Sequence, residues 1–298
     1  MRLVYSPRYH IDIGTHVFPT RKYQLVYARV LDTGVVQSAD VVEPQPAPWD
    51  ELALVHTQEY LTKLRDGTLS DEDLAQLELP WSPQMVDGFR VMVGGTIEAA
   101  RLAVRERAIV GHVGGGLHHA FSNHGEGFCP FNDVAVAIRV LQRDGMERAA
   151  VIDLDVHHGN GTAFIFESDP RVFTLSMHQQ YNYPVWKPRG SLDIGLMDAT
   201  GDAEYLRQLA GALPTVMASN PQCLFYLAGA DPYEDDQLGG LRLTLDGLRR
   251  RDRMVVEHAR TMRVPMVVVL AGGYARKVDD TVAAHVATIQ EAARQANA

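Results

Sequence analysis

The sequence predicts an α/β protein, a single domain of three α/β/α layers with a mainly parallel central sheet. Three observations lead there. Short runs rich in Val, Ile and Leu alternate with longer segments of helical period, which is how a parallel sheet covered on both faces reads. Four of those runs end in polar residues with no structural need to be there, and in open α/β sheets ligands sit outside the carboxyl ends of the strands. The 298 residues contain no internal repeat or low-complexity tract, so one domain spanning 1–298 is expected.

Taken in order, residues 2–5 predict a short strand and 9–19 an irregular loop holding His10, Asp12, Gly14 and His16. A helix is expected through 25–30. The Pro-rich stretch 43–48 resembles a linker, but too little chain precedes it to form a separate domain. Residues 52–55 predict a strand, and 56–60 the start of a helix. Ser82 is an N-cap with Pro83 at the first helical position; Val86, Phe89, Val93 and Ile97 then mark one face of a helix reaching Arg105. A strand at 109–113 leads into three glycines and then His118 and His119. A helix over 132–142 precedes a strand at 151–156, and Gly159 and Gly161 release the chain into a turn before a short helix at 162–167. The remainder reads as a strand at 172–177, a helix at 203–217, a strand from 223, a helix at 245–262, a strand from 266 and a last helix at 278–295.

Composition narrows the function. The chain is 46% apolar and 22% charged, ordinary globular values, with a formal net charge of −9. That charge argues against direct nucleic-acid binding or an anionic membrane partner, and it suits a cationic substrate. Cys129 and Cys223 lack the spacing of a zinc ribbon or a redox pair, so with twelve His any metal site is built from N and O ligands. The start lacks the apolar run of a signal peptide and no stretch reaches membrane-spanning length, which makes a cytoplasmic location the expectation.

The chemistry centres on Val151-Ile-Asp-Leu-Asp-Val-His-His-Gly-Asn-Gly161. A central strand does not normally carry two carboxylates, because burying an unpaired charge costs roughly several kcal/mol. On an extended chain Asp155 and His157, two apart, leave the same face. With Asp231, at the end of a later apolar run, they make three protein ligands and leave a position for water, the arrangement of a catalytic zinc. The oxygen-rich set also admits Fe(II) or Co(II). A solvated Asp and His at a capped strand end is the plainer alternative.

His118 and His119 follow a Gly-rich turn that lets backbone approach a ligand; a phosphate cradle is the alternative, but no Gly-Lys-Ser/Thr follows. Two imidazoles beside a metal-held water suit proton transfer to a leaving amine. Each needs a partner for its second nitrogen, and Asp153 and Asn160 are the candidates. Tyr274, after two glycines, could donate a hydrogen bond to a forming oxyanion or could plug the sheet edge. Gly127 and Phe128 could line a narrow apolar channel or belong to the core.

Taken together these residues resemble the zinc-dependent histone deacetylase family, which shares its fold with arginase. The matching stretches are Gly114 to Ala120, Gly127 to Asp133, Ile152 to Gly161, Ala228 to Asp231 with Asp236, Leu238 and Gly239, and Ala271 to Tyr274, in the family's order. His16 to Pro19 with Lys22, and His56 to Tyr60, extend the match. Short length, Ser176-Met-His-Gln179 and Tyr183-Pro184 before Lys187 look most like the class IV branch and its bacterial relatives.

The resemblance implies zinc on Asp155, His157 and Asp231. It makes His119 the general base and then acid, with His118, paired with Asp153, assisting. Tyr274 would bind the oxyanion, and Gly127 and Phe128 would line an acyl-lysine tunnel. It also implies a structural potassium ion held by oxygens of Asp153, Asp155, His157, Ser176 and Met177, a shell that suits a hard cation.

Three positions depart from the pattern, and a fourth, Leu238, separates this chain from polyamine-selective members. Asn160 stands where many members have Asp, which implies a lower pKa for His119 because a neutral partner stabilises imidazolium less. Gln237 replaces a Pro, Ala271 a Gly, and Leu238 stands where polyamine-selective members carry an acid. The expected activity is therefore hydrolysis of acetyl or longer acyl groups from lysine side chains of a protein or peptide by metal-activated water. Deacetylation of small acylated amines or polyamines is the alternative. Arginase-type chemistry would need further Asp ligands, and a non-catalytic module would lack a ligand or Tyr274. Acyl length, physiological substrate, native metal and oligomeric state are not encoded in any of these motifs.

Overall fold

The computed structural model describes residues 1–296. Its strands are β1 (Leu3–Val4), β2 (Val41–Val42), β3 (Ile109–His112), β4 (Ala149–Asp153), β5 (Val172–Gln179), β6 (Leu192–Leu196), β7 (Cys223–Leu227) and β8 (Met266–Val269). They form one eight-stranded sheet in the order β2-β1-β3-β8-β7-β4-β5-β6. Every pairing is parallel, so the sheet is parallel throughout rather than mainly so.

Successive residues of the central strands feed two separate cores. Ala149 and Val151 of β4, Phe225 of β7 and Val267 of β8 face one side; Ala150, Ile152, Tyr226 and Val268 face the other. Burial on both faces removes the polar alternation of a half-exposed strand, which is why these runs read as continuous apolar stretches. Fully burying a Val or Ile side chain contributes about 1.5–3 kcal/mol, and β4, β7 and β8 are buried at every position.

Helices cover both faces: α1 (Lys22–Asp32), α2 (Trp49–Leu52), α3 (Gln58–Asp66), α4 (Asp71–Leu77), α5 (Pro83–Glu106), α6 (Asp133–Arg143), α7 (Asn160–Phe166), α8 (Asp202–Ala218), α9 (Leu245–Thr261) and α10 (Val278–Ala296). Their starts follow local chemistry. Thr57, Ser82, Asn132 and Thr244 each accept a backbone N–H at the head of a helix, and Ser70 with Asp73 forms a reciprocal capping box. Among the described residues no helix is long and apolar enough to cross a membrane.

The structure corrects two expected strands. Residues 52–55 are the last residue of α2 and a turn, in which the amides of Val55 and His56 both return to the Leu52 carbonyl. Leu52 is buried but Leu54 is exposed, so the run lacks the burial of a strand. Likewise β4 stops at Asp153, three residues earlier than expected. Asp155 and His157 therefore lie in the irregular segment that follows, and strand alternation is not what brings them together. β2, α4 and β6 are additional; β6 is an edge strand whose alternating burial leaves only a weak apolar signal.

Gly94 and Gly95 sit inside α5, where each costs about 1 kcal/mol relative to Ala. Close approach explains them. A Cβ on Gly94 would stand 1.9 Å from the Gln45 carbonyl oxygen, and one on Gly95 would stand 2.2 Å from the Tyr9 hydroxyl and 2.3 Å from His112 Nε2. The pair lets α5 lie against both the Pro-rich connection and β3. Gly94→Ala is accordingly expected to destabilise the protein by about 1–3 kcal/mol, since the obstacle is backbone rather than a movable side chain. Urea unfolding checks this; an unchanged midpoint would refute it.

Candidate active site

β3, β8, β7 and β4 are consecutive neighbours in the sheet, and the loops leaving their carboxyl ends meet. Three glycines follow β3. Gly115 and Gly116 take φ of +79° and +78°, and the turn they form is cradled by Asp133 at the head of α6, whose carboxylate accepts the amides of Gly116 (3.1 Å) and Leu117 (2.7 Å). That turn delivers His118 and His119. The Gly127–Phe128 turn is also left-handed, with φ of +51° and +66°. A Cβ on Gly127 would press to 2.8 Å from the His119 ring, so glycine allows the backbone to form that wall.

The buried Asp155, His157 and Asp231 place ligand atoms within 4.8 Å of one another. Backbone amides tie both oxygens of Asp155, Oδ1 accepting from His157 (3.0 Å) and Oδ2 from Gly272 (2.8 Å), but only Oδ1 of Asp231, which accepts from Val156 (2.9 Å). His157 Nδ1 lies 3.0 Å from Asp155 Oδ1 and 3.5 Å from Asp231 Oδ2. Asp231 Oδ2 is buried with no hydrogen-bond partner. A Cβ on Gly272 would fall 1.8 Å from that oxygen, so the cradle exists only with glycine there. A buried unpaired carboxylate oxygen, a second carboxylate and an imidazole form a donor set that fits a divalent cation.

Charge has to be balanced in this cluster. Burial pushes the His157 imidazole down, but its hydrogen bond to Asp155 and the charges of Asp155 and Asp231 beside it outweigh that and lift its pKa to about 10. Burial and the Asp155 charge together hold the Asp231 carboxyl above the usual range.

The His pair is asymmetric. His118 Nδ1 lies 2.7 Å from Asp153 Oδ2, and although burial lowers it, the Asp153 and Asp155 charges raise it to about 9. His119 Nδ1 lies 2.7 Å from Asn160 Oδ1; burial, then the charge on His118, hold it well below 6.5. The two Nε2 atoms are 3.1 Å apart, which a charged His118 donating to a neutral His119 satisfies.

Tyr274 follows β8. Its amide donates to Asp236 (2.7 Å), and its carbonyl accepts the Gln237 side chain (2.8 Å). Burial and the Asp155 and Asp231 charges raise its phenol, so the hydroxyl keeps its proton. The buried Lys22 donates to the Ala271 carbonyl (2.8 Å) and lies 5.5 Å from the Tyr274 ring centre, bracing this loop from behind.

An outer cleft of about 540 Å³ is lined by Glu78, His119, Gly127, Phe128, His157, Asn182, Tyr183, Leu238 and Tyr274. A pocket of about 350 Å³ reaches past His118 and Tyr274 toward Phe18, Tyr23 and Leu117. Asp153, Asn160 and every residue expected on chemical grounds thus gather at one sheet edge, and Ser176 pairs in register with Asp153, with Met177 next to it on β5. Of the aromatics Tyr181, Tyr183 and Trp186 in the loop after β5, only Tyr183 lines the cleft. Trp186 lies flat over Phe121 at 5.6 Å, and Tyr181 is exposed. Glu126 and Asp133, which hold Asn160 and the glycine turn, escape sequence reasoning, although both lie within the Gly127 to Asp133 stretch or beside it.

Fold and site together define a hydrolase of the deacetylase class. Residues 16–289 match the family described as "Histone deacetylase domain", and the chain belongs to that family. An uncharacterized protein of Picosynechococcus sp. is 41% identical over 286 residues, covering 95% of both chains. Histone deacetylase 2 of Arabidopsis thaliana is 32% identical, covering 94% of this chain and 77% of its own. The crystal structure of a histone deacetylase homologue complexed with SAHA superposes with a TM-score of 0.83 at 25% identity, covering 97% of this chain and 82% of that one.

Were Zn²⁺ to bind this cluster, His157 would have to give up its proton, so that binding at pH 7 would release about one proton or more. Calorimetry in buffers of different ionisation enthalpy measures it, and an enthalpy independent of buffer would contradict the charge balance described above.

Proposed function

We propose that this chain, as a single catalytic domain, removes acyl groups from lysine side chains with a divalent cation held by Asp155, His157 and Asp231, zinc foremost and Fe²⁺ or Co²⁺ as alternatives. One observation carries the reading. The unpaired Asp231 Oδ2 belongs to a three-ligand cluster at the floor of a cleft that also holds a neutral His119 and a protonated Tyr274. A cation bound there supplies Lewis-acid polarisation and lowers the pKa of water.

The protein's own groups do the rest. Phe128 and Tyr183 both line the cleft and would pack against the alkyl chain of an acyl-lysine, excluding water. His119, neutral and with Nδ1 committed to Asn160, accepts a proton at Nε2 and delivers it to the departing amine. His118, charged against Asp153, contributes a fixed positive field beside it. The Tyr274 hydroxyl donates to the carbonyl oxygen as negative charge grows there. Oxygens of Asp153, Asp155, His157, Ser176 and Met177 would hold potassium behind β4, where it would offset the Asp153 and Asp155 charges. Leu238 puts an apolar side chain where polyamine-selective members carry an acid, which favours lysine over polyamine substrates, and Glu78 is the carboxylate that lines the same cleft.

Fluorogenic lysine peptides bearing acetyl, butyryl, octanoyl and myristoyl groups, with acetylated putrescine and spermidine alongside, test the proposal on metal-stripped and zinc-restored enzyme. Zinc-dependent turnover of any peptide is expected; turnover of the polyamines alone would replace lysine by a small amine. Tyr274→Phe should lower kcat by about 10²–10³-fold while metal content and hydroxamate binding stay unchanged, because the hydroxyl acts chiefly in the transition state. A wild-type kcat in that variant would remove Tyr274 from the mechanism.

A further inference from the structure

The departure at Asn160 leaves His119 facing a neutral amide, yet a carboxylate lies directly behind it. Glu126 sits in the tight turn before Gly127, where its amide and carbonyl exchange hydrogen bonds with Cys129 (3.2 and 2.9 Å). Its side chain is 13% exposed. Oε1 accepts Asn160 Nδ2 at 2.6 Å and the Tyr183 hydroxyl at 3.1 Å; Oε2 accepts Gln76 Nε2 at 3.2 Å and lies 3.5 Å from His124 Nε2. These partners outweigh burial and hold the carboxyl below its ordinary range, so it is ionised near neutrality.

We infer that Glu126 is a positioning residue that sets the ring proton of His119 by orienting Asn160. The argument is one of donors and acceptors. A carboxylate only accepts, so Asn160 must turn its amide nitrogen toward Glu126. That leaves Oδ1 facing His119 Nδ1 at 2.7 Å. The oxygen only accepts too, so the His119 proton resides on Nδ1, and Nε2 keeps the lone pair that faces His118 Nε2 at 3.1 Å and can take up a proton. The two ends of an Asn amide are alike in shape and differ only in their partners. Without Glu126 the amide can turn over and donate to Nδ1, which moves the ring proton to Nε2 and leaves nothing there to accept another. Glu126 thus does from one residue further out what a carboxylate at position 160 would do by direct contact, and its bond to Tyr183 ties that function to the cleft wall.

The inference rests on the proposed role of His119, and the test separates the two. On zinc-loaded enzyme, ¹⁵N spectra of the imidazoles, with His119 assigned by loss of its signals in His119→Ala, should show Nδ1–H in the wild type and an Nε2–H population in Glu126→Gln. This readout needs no turnover. With an active peptide, Glu126→Gln should lower kcat about tenfold or more with KM within about threefold. Asn160→Asp alone should also lose activity, because it sets two carboxylates against each other at the 2.6 Å contact. The double variant Glu126→Gln/Asn160→Asp should exceed both single variants, since one carboxylate then meets His119 directly. Should Glu126→Gln fail to fold, Glu126→Asp, which withdraws the charge by one methylene, should show the same tautomer change. An unchanged tautomer overturns the inference whatever kcat does, as does a double variant no better than the weaker single one. A changed tautomer in an enzyme inactive on every substrate would uphold Glu126 and count instead against the deacylase reading.

Discussion

The structure depends on how charge is balanced at the carboxyl end of β4. Asp153, Asp155 and Asp231 are all buried, and an isolated carboxylate in such a place would neutralise or unfold its surroundings. Each is instead given specific partners. Asp153 takes the Asp155 amide and His118; Asp155 takes the amides of His157 and Gly272; Asp231 takes the Val156 amide and leaves one oxygen open. The open oxygen is the exception in an otherwise satisfied network, and with Asp155 and His157 it forms a donor set that could hold a cation.

Satisfying those carboxylates requires loops from four strands to come closer than side chains ordinarily permit. Gly272 lies close against the Asp155 and Asp231 carboxylates, Gly116 against Ala271, and Gly229 against Asp155. Glycine is costly in backbone entropy, so its concentration at the sheet edge marks where the site sets the backbone rather than the reverse. A second support lies deeper: the buried Arg251, paired with Asp252, donates to the carbonyl of Gly229 at 2.6 Å and lies 3.3 Å from that of Leu154, joining the two ligand-bearing segments from below.

The same network divides labour between two adjacent histidines. Their sequence environments differ little, but one has a carboxylate behind it and the other an amide. The result is a charged His118 and a neutral His119, a pair suited to move one proton in a defined direction. Position 160 reads from the sequence as a weakened contact; in three dimensions the missing charge is present one residue further out, on Glu126.

Much of this protein was legible from residue order alone. The parallel sheet followed from apolar runs such as 223–227 and 266–269, and the buried cluster of Asp155, His157 and Asp231 from acids and histidines where such runs stop, because burial on two faces and uncompensated charge both leave local marks. The strand wrongly expected at 52–55 shows the limit: four apolar residues have no period, and only tertiary burial decides their conformation. Strand alternation seemed to pair Asp155 with His157, but the strand ends at Asp153, and what joins them is an amide and a ring nitrogen meeting one carboxylate oxygen. Sequence determined which chemical groups are present and at which sheet edge they collect. Tertiary structure alone decided which of them touch, hence that Glu126 backs Asn160 and that Tyr183 rather than Trp186 walls the cleft, because hydrogen bonds across 34 or 57 residues depend on packing that no local pattern records.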